Sequence, residues 1–223
     1  IAITPDGRTA LLSDRSNDSI RAVNLQTYEV RTVSASSAGW NGPGGLAFDP
    51  SEANPTRVWV ADTFASRIRS LDFETGDIVE LGASDTPQGI AIHNGAALSI
   101  GFGDSITQTD LNTGATSTLS NAFGGAFASP IVINNEMVYA ELARESIRAL
   151  RLDTLADRLV AGPEQSSGFV DGNGPDVRFG QITDMVASAD GSWAIIAVRA
   201  ARIPWANREI GKIAELAITS AAR

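Results

Sequence analysis

Hydrophobic and polar positions alternate along this chain in short runs, and the runs recur in register. Four segments carry the same step: Ser19-Ile20-Arg21-Ala22-Val23, Arg67-Ile68-Arg69-Ser70-Leu71, Ser105-Ile106-Thr107-Gln108-Thr109 and Ser146-Ile147-Arg148-Ala149-Leu150. Each reads as a half-buried β-strand, with one side chain in two facing a core. Seven residues after each isoleucine stands a threonine, Thr27, Thr75, Thr113 and Thr154, so both markers are spaced by 48, 38 and 41 residues. A weaker fifth copy, Ile210-Gly211-Lys212-Ile213-Ala214, follows 63 residues later. The threonines fall in turns, best seen in Asp72-Phe73-Glu74-Thr75-Gly76 and Asp110-Leu111-Asn112-Thr113-Gly114. There an Asp side chain can accept backbone N–H groups two residues on, and Gly tolerates positive φ.

Upstream of each marked strand a second apolar stretch runs into a turn, at Ala2–Gly7, Ala47–Pro50, Ala91–Gly95, Val132–Asn135 and Val186–Gly191. A further strand follows each turn, at Thr9–Ser13, Val58–Ala61, Ala96–Ile100, Met137–Ala140 and Ser192–Val198, and a shorter one closes the unit, as at Asp77–Leu81 or Thr116–Leu119. The only helix candidate, Thr154–Leu159, reads better as turn plus strand. Four short strands over roughly 38 to 50 residues match the blade of a β-propeller. The expected fold is therefore all-β, with four-stranded antiparallel blades at approximately 1–38, 39–84, 85–122, 123–180 and 181–223 of one propeller domain. Such sheets must bury both faces, and packing neighbours face to face does so. Five repeats are visible, with no spare strand to close a ring, so a six-bladed or larger propeller stays open. The chain begins at Ile1, without methionine, and the expectation is a portion of something longer.

Composition narrows the chemistry. The 223 residues are 43% hydrophobic and 19% charged, a globular balance. No apolar run approaches the roughly 20 residues of a spanning helix, so membrane insertion is not expected. A net charge of −9 argues against nucleic acid as a partner. Cysteine is absent and His93 is the single histidine, which removes thiolate and multi-imidazole sites. Lys212 is the only lysine.

The residues resemble the NHL-repeat family of propellers. Val60-Ala61-Asp62-Thr63-Phe64-Ala65-Ser66-Arg67-Ile68 is similar to that family's strand–Asp–loop–Arg–Ile segment, and Gly42-Pro43-Gly44-Gly45-Leu46-Ala47-Phe48-Asp49 to the start of a blade. Gly168-Phe169-Val170-Asp171-Gly172-Asn173-Gly174-Pro175-Asp176-Val177-Arg178-Phe179 is similar to its long inter-blade loop, where a phenylalanine near the end packs between blades. The resemblance implies that Asp62 and Arg67 form the family's Asp–Arg pair and that Phe179 is the inter-blade residue. Elsewhere the pattern is degenerate: Ser19 and Ser146 replace the arginine, and Glu141 the acid.

Acids recur at second-strand ends, Asp14, Asp62, Asp104 and Glu141. Together they could ring a channel mouth and hold a cation, or each could bind the backbone of its own loop. Asp171, Asn173 and Asp176 share one glycine-rich loop and are the weak candidates for a Ca2+ site; they lack the remaining ligands of a calcium loop, and a turn accounts for the same residues. No other cofactor is expected. His93 has no serine or cysteine nucleophile motif beside it, and one histidine cannot supply the zinc site of NHL-like lyases. Trp40-Asn41-Gly42-Pro43-Gly44-Gly45-Leu46 faintly resembles an Asn-Gly element of gluconolactonase-like propellers, so a metal-dependent hydrolase of the lactonase type is the alternative function. Asn17-Asp18-Ser19 is a glycosylation sequon on a predicted loop, and an extracellular or cell-surface location is the expectation, with the cytoplasm left open.

The leading expectation is a non-catalytic protein-interaction scaffold, engaging protein partners or assembling with itself. Arg199, Arg202, Trp205 and Arg208 in the divergent fifth unit form the expected contact, because Trp and Arg are favoured at interface hot spots.

Overall fold

The structure is a computed structural model that describes residues 1–102, 105–121, 130–141, 144–162, 168, 170–172, 174–188, 193–199 and 211–217; of 199 and 211–217 only the backbone is described. The chain divides into two compact units, Ile1–Asn121 and Ala122–Arg223. The described residues form β-sheets and short 3-10 turns, and no helix among them is long and apolar enough to cross a membrane.

The amino-terminal unit holds three four-stranded antiparallel sheets whose strands follow chain order. The first comprises β1 (Ala2–Ile3), β2 (Thr9–Asp14), β3 (Ser19–Asn24) and β4 (Val30–Ser34). The second comprises β5 (Pro43–Ala47), β6 (Arg57–Asp62), β7 (Arg67–Asp72) and β8 (Ile78–Ala83), and the third β9 (Pro87–His93), β10 (Ala96–Gly101), β11 (Ser105–Asp110) and β12 (Thr116–Asn121). The other unit holds β13 (Ile131–Ile133), β14 (Glu136–Glu141), β15 (Ser146–Arg151) and β16 (Asp157–Ala161) as a four-stranded sheet, then β17 (Gln181–Ala187), β18 (Trp193–Arg199) and β19 (Gly211–Ala217) as a three-stranded one. The four four-stranded sheets are the blades expected from the sequence; the fifth repeat shows three strands, not four, among the described residues.

The repeat isoleucines Ile20, Ile68, Ile106 and Ile147 take the second position of β3, β7, β11 and β15 and are fully buried. In the amino-terminal unit, Leu11, Ile20 and Ala22 of the first sheet meet Leu46, Val58, Val60 and Leu71 of the second. Trp59, Ala61 and Ile68 on its opposite face meet Ile90, Ile92 and Ala97 of the third. The second sheet thus buries two apolar faces. The innermost strands approach closely where Gly44 and Gly45 pass Gln88 and Gly89. A Cβ on Gly44 would stand 2.7 Å from the Gln88 carbonyl oxygen and 2.8 Å from Thr63 Oγ1. In the other unit Phe179 is buried among Ala140, Ile147 and Ala149 of one sheet and Ile182, Met185 and Ile196 of the next, the inter-blade role expected for it.

The turn threonines have one shared job. Thr27, Thr75, Thr113 and Thr154 each accept, through the hydroxyl, the backbone N–H two residues on, at 3.3–3.4 Å. Ahead of them the side-chain oxygens of Asn24, Asp72 and Asp110 accept two backbone N–H groups each, at 2.7–3.0 Å. These bonds hold the Asp72 and Asp110 carboxyls below their ordinary pKa. The left-handed position of the turn is glycine in Gly76 and Gly114, but Tyr28 (φ 61°) and Leu155 (φ 58°) in the first and fourth sheets.

One feature of the blades has no periodic trace in the sequence. Between the third and fourth strands, pairing slips by one residue at the repeat isoleucine in all four four-stranded sheets. The extra residue is Val33, Leu119 and Val160 in the first, third and fourth sheets, while in the second the slip sets Leu81 and Gly82 against Ile68. A bulge there raises the local twist, and Val33, Leu81 and Val160 pack on the cores that hold Ile20, Ile68 and Ile147.

Candidate functional site: the loop end of the amino-terminal unit

The second strands of the first, second and fourth sheets end on an acid, Asp14, Asp62 and Glu141, and each of these is already engaged. Asp14 Oδ2 faces Arg21 Nε at 3.2 Å, and its Oδ1 accepts from Asn17 Nδ2. Asp62 is fully buried; its Oδ1 accepts the backbone N–H of Asn41 at 2.8 Å, and its Oδ2 lies 3.1 Å from Arg69 Nη1. Burial raises the Asp62 carboxyl above the usual carboxylate value, against the lowering pull of the Asn41 N–H and then of Arg69. Glu141 is also buried, takes Arg144 at 3.4 Å and the Ser146 hydroxyl at 3.3 Å, and is raised by desolvation. Asp104 lies outside the described residues.

The family's Asp–Arg pairing requires a correction. Arg67 is the cross-strand partner of Asp62 in the ladder, but the guanidinium that meets the carboxylate belongs to Arg69. Arg67 sits at the loop end of the β6–β7 hairpin, half-exposed, and binds Glu80 Oε2 at 2.6 Å. Arg69 lies one cross-strand step deeper, buried 5.2 Å from the Trp40 ring, with Nη1 donating to the Gly39 carbonyl at 2.8 Å. A buried carboxylate is best compensated by a buried cation, because solvent screens the exposed one. The signal lies in the repeat: arginine follows the isoleucine at Arg21, Arg69 and Arg148. In the third sheet Thr107 takes that position, and a triangle of buried hydroxyls replaces the ion pair, Ser84–Ser99 at 2.8 Å, Ser84–Thr107 at 3.0 Å and Ser99–Thr107 at 2.7 Å.

With Asp62 and Glu141 committed to the interior and Asp14 to Arg21, the loops between second and third strands present something else. In the first sheet that loop carries Arg15, whose guanidinium carbon stands 4.7 Å from the centroid of the Phe64 ring and whose Nη1 donates to Gln88 Oε1 at 2.8 Å. Phe64, in the equivalent loop of the second sheet, lies over Gly42 and is 57% exposed. Phe102, in the third, is 41% exposed. Three successive blades therefore place Arg, Phe and Phe at one end of the unit. Beneath them Asn41 and Gly42 are fixed by the carboxylates of Asp62 and Asp18, which accept their backbone N–H groups at 2.8 and 2.7 Å. Strand patterning does not single out Phe64 or Phe102; an apolar residue inside a turn segment is the one trace each leaves in the sequence.

The remaining candidates are dispersed. Asp171 and Asp176 are exposed on the long loop, and Asn173 lies outside the described residues. No group of three or more His, Asp or Glu side chains suited to a metal ion occurs among the described residues. His93 closes β9, and its Nε2 lies 3.0 Å from Asn94 Nδ2. Arg199 ends β18, while Arg202, Trp205 and Arg208 lie outside the described residues.

No family model matches this chain. No curated protein matches it either. Solved structures do. A Bacteroides thetaiotaomicron protein of unknown function aligns with a TM-score of 0.71 at 14% identity, over 86% of this chain and 50% of that one. An auxiliary nutrient binding protein from the same organism aligns with a TM-score of 0.69 at 14% identity, over 97% and 58%. A chain from a nidogen/laminin complex aligns with a TM-score of 0.65 at 15% identity, over 85% and 70%. The chain thus spans 50% and 58% of the two Bacteroides proteins' lengths. At such identities the likeness establishes the fold, and the class is an all-β protein of the β-propeller type.

Proposed function

We propose that this chain is a non-catalytic, propeller-type module that binds another protein through the loop end of its amino-terminal unit. The observation that carries the reading is the exposure of Phe64 and Phe102 in equivalent loops, with Arg15 against the first ring. Aromatic and Arg side chains on a rigid base are favoured at interface hot spots, because they bury much area at little conformational cost. The base is rigid because Asp62 and Asp18 hold the backbone beneath Phe64. That one structural neighbour comes from a nidogen/laminin complex supports a protein partner. The Phe179 packing supports kinship with NHL-type propellers. An extracellular location and a second contact through Arg199, Arg202, Trp205 and Arg208 belong to the same proposal. A lactonase-type hydrolase would need carboxylates free to ligate metal, whereas Asp14, Asp62 and Glu141 each face an arginine.

Photo-crosslinking tests this reading. A photoreactive phenylalanine is placed at position 64, 102 or, as control, the exposed outer-strand position 79. Crosslinks to one protein from 64 and 102, lost with Arg15→Glu and insensitive to chelator, are expected. Equal labelling from position 79, or turnover of a lactone that depends on added metal, would overturn it.

A further inference from the structure

The first sheet has one covered face and one open one. Leu11, Ile20 and Ala22 point into the core shared with the second sheet. On the opposite face the ladder aligns Ile3, Ala10, Val23 and Val30 across all four strands, with Leu12 beside them. Counted from the repeat isoleucine, Val23 corresponds to Leu71 and Thr109, and its ladder partner Ala10 to Val58 and Ala97. Leu12 likewise corresponds to Val60. In the second and third sheets these residues are fully buried, because the preceding blade covers them. In the first sheet the outer strands leave the row open, Ile3 being 55% and Val30 60% exposed, with Leu12 and Val23 partly exposed and only the small Ala10 buried among them. An apolar row across a whole sheet, built as a covered face is built, is out of character for a solvated surface.

The same alternation in the fifth sheet gives the complement. Ile182, Met185, Ile196 and Val198 face the core of their own unit. Val186 and its ladder partner Ile195 point the other way, with Trp193 on that same side of β18. Val186 is 58% exposed and Trp193 37% exposed. Within each unit, a sheet covers its successor with the face that carries the repeat isoleucine, as Ile20, Ile68 and Ile147 show. The open face of the fifth sheet is of that covering kind, and the open face of the first is of the covered kind.

We propose that two copies of this chain join head to tail, the open face of the first sheet in one copy receiving the open face of the fifth sheet in the other. The contact repeats the blade-on-blade packing already present in the chain. It uses a surface distinct from Phe64 and Phe102, so the loop-end reading stands or falls separately.

Two variants isolate the two faces. Ile3→Asp/Val30→Asp disables the first, and Val186→Asp/Trp193→Ser disables the second. Sedimentation velocity of the full chain across concentration should show the wild type associating above its 23.3 kDa monomer. Each variant alone should stay monomeric over the concentrations at which the wild type associates. An equimolar mixture should form a dimer and nothing larger, because one working face of each kind remains. Phe64→Ala should leave all of this unchanged. A wild type that stays monomeric at every concentration overturns the proposal, as does a mixture that fails to dimerise or a variant that still self-associates. Should an aspartate variant shift the melting curve, Val30→Thr and Val186→Thr replace it, being isosteric and polar, with the same outcomes required.

Discussion

Asp62 is a buried, paired acid of the amino-terminal unit, and replacing it tests whether its contacts with Asn41 and Arg69 stabilise the fold. Its carboxylate is fully buried; one oxygen satisfies the Asn41 N–H and the other faces Arg69, itself buried. Asp62→Ala removes both, leaving an orphaned N–H and a buried guanidinium whose remaining acidic partner is the exposed Glu80, 2.7 Å away. Breaking a buried pair from one side costs about 3–5 kcal/mol. Asp62→Asn keeps an oxygen for the Asn41 N–H, and the loss should be smaller by about 1–2 kcal/mol. Changing both partners, in Asp62→Asn/Arg69→Met, should recover part of the loss, giving a coupling of about 2 kcal/mol in a double-mutant cycle. The pH dependence provides a second arm. Burial raises the folded-state pKa of Asp62 above its ordinary 3.8, so between the raised value and 3.8 the folded state binds more protons than the unfolded one. The contribution of Asp62 to stability therefore grows as pH falls through that window and is lost as pH rises through the raised value. Asn cannot titrate, so the advantage of wild type over Asp62→Asn should widen on acidification from pH 7. Urea unfolding from pH 7 to 4 measures both arms. An Asp62→Ala cost under about 1 kcal/mol, set against the range for a broken buried pair, or a wild-type advantage that shrinks toward acid, refutes the reasoning.

Three further outcomes are expected. Phe179→Ala should cost about 3–5 kcal/mol in chemical unfolding, since it empties the space between two sheets of the second unit. Gly44→Ala should lower the midpoint by the equivalent of about 1–3 kcal/mol, because its Cβ would press on the Gln88 carbonyl and backbone cannot step aside as a side chain can. Leu155→Gly should raise stability by up to about 1 kcal/mol, seen as a higher melting temperature, because the left-handed turn strains leucine and not glycine.

Much of the fold was legible because blade structure is written locally. Strand alternation has a period of two, the turn begun by Asp-x-x-Thr-Gly makes its bonds within six residues, and the spacing of Ile20, Ile68, Ile106 and Ile147 carries that local unit through four copies. Phe179 was legible for a related reason: one apolar residue after a run of turn formers has only the interior to go to. The candidate site was less legible. Asp14, Asp62 and Glu141 do end their strands, but their partners depend on depth, and depth comes from neighbouring sheets. Arg67 and Arg69 share one face of β7 and look equivalent in sequence, yet only packing beneath Gly39 and Trp40 buries Arg69 and makes it the partner of Asp62. The bulges that turn Val33 and Val160 inward leave the alternation nearly intact, so no periodic signal betrays them. The exposure of Phe64, Ile3 and Val30 is likewise a tertiary fact. By itself the sequence determined where strands and turns lie and which side chain of each pair points to a core. The tertiary structure decided which faces are covered, because burial depends on the sheet alongside and not on the strand itself.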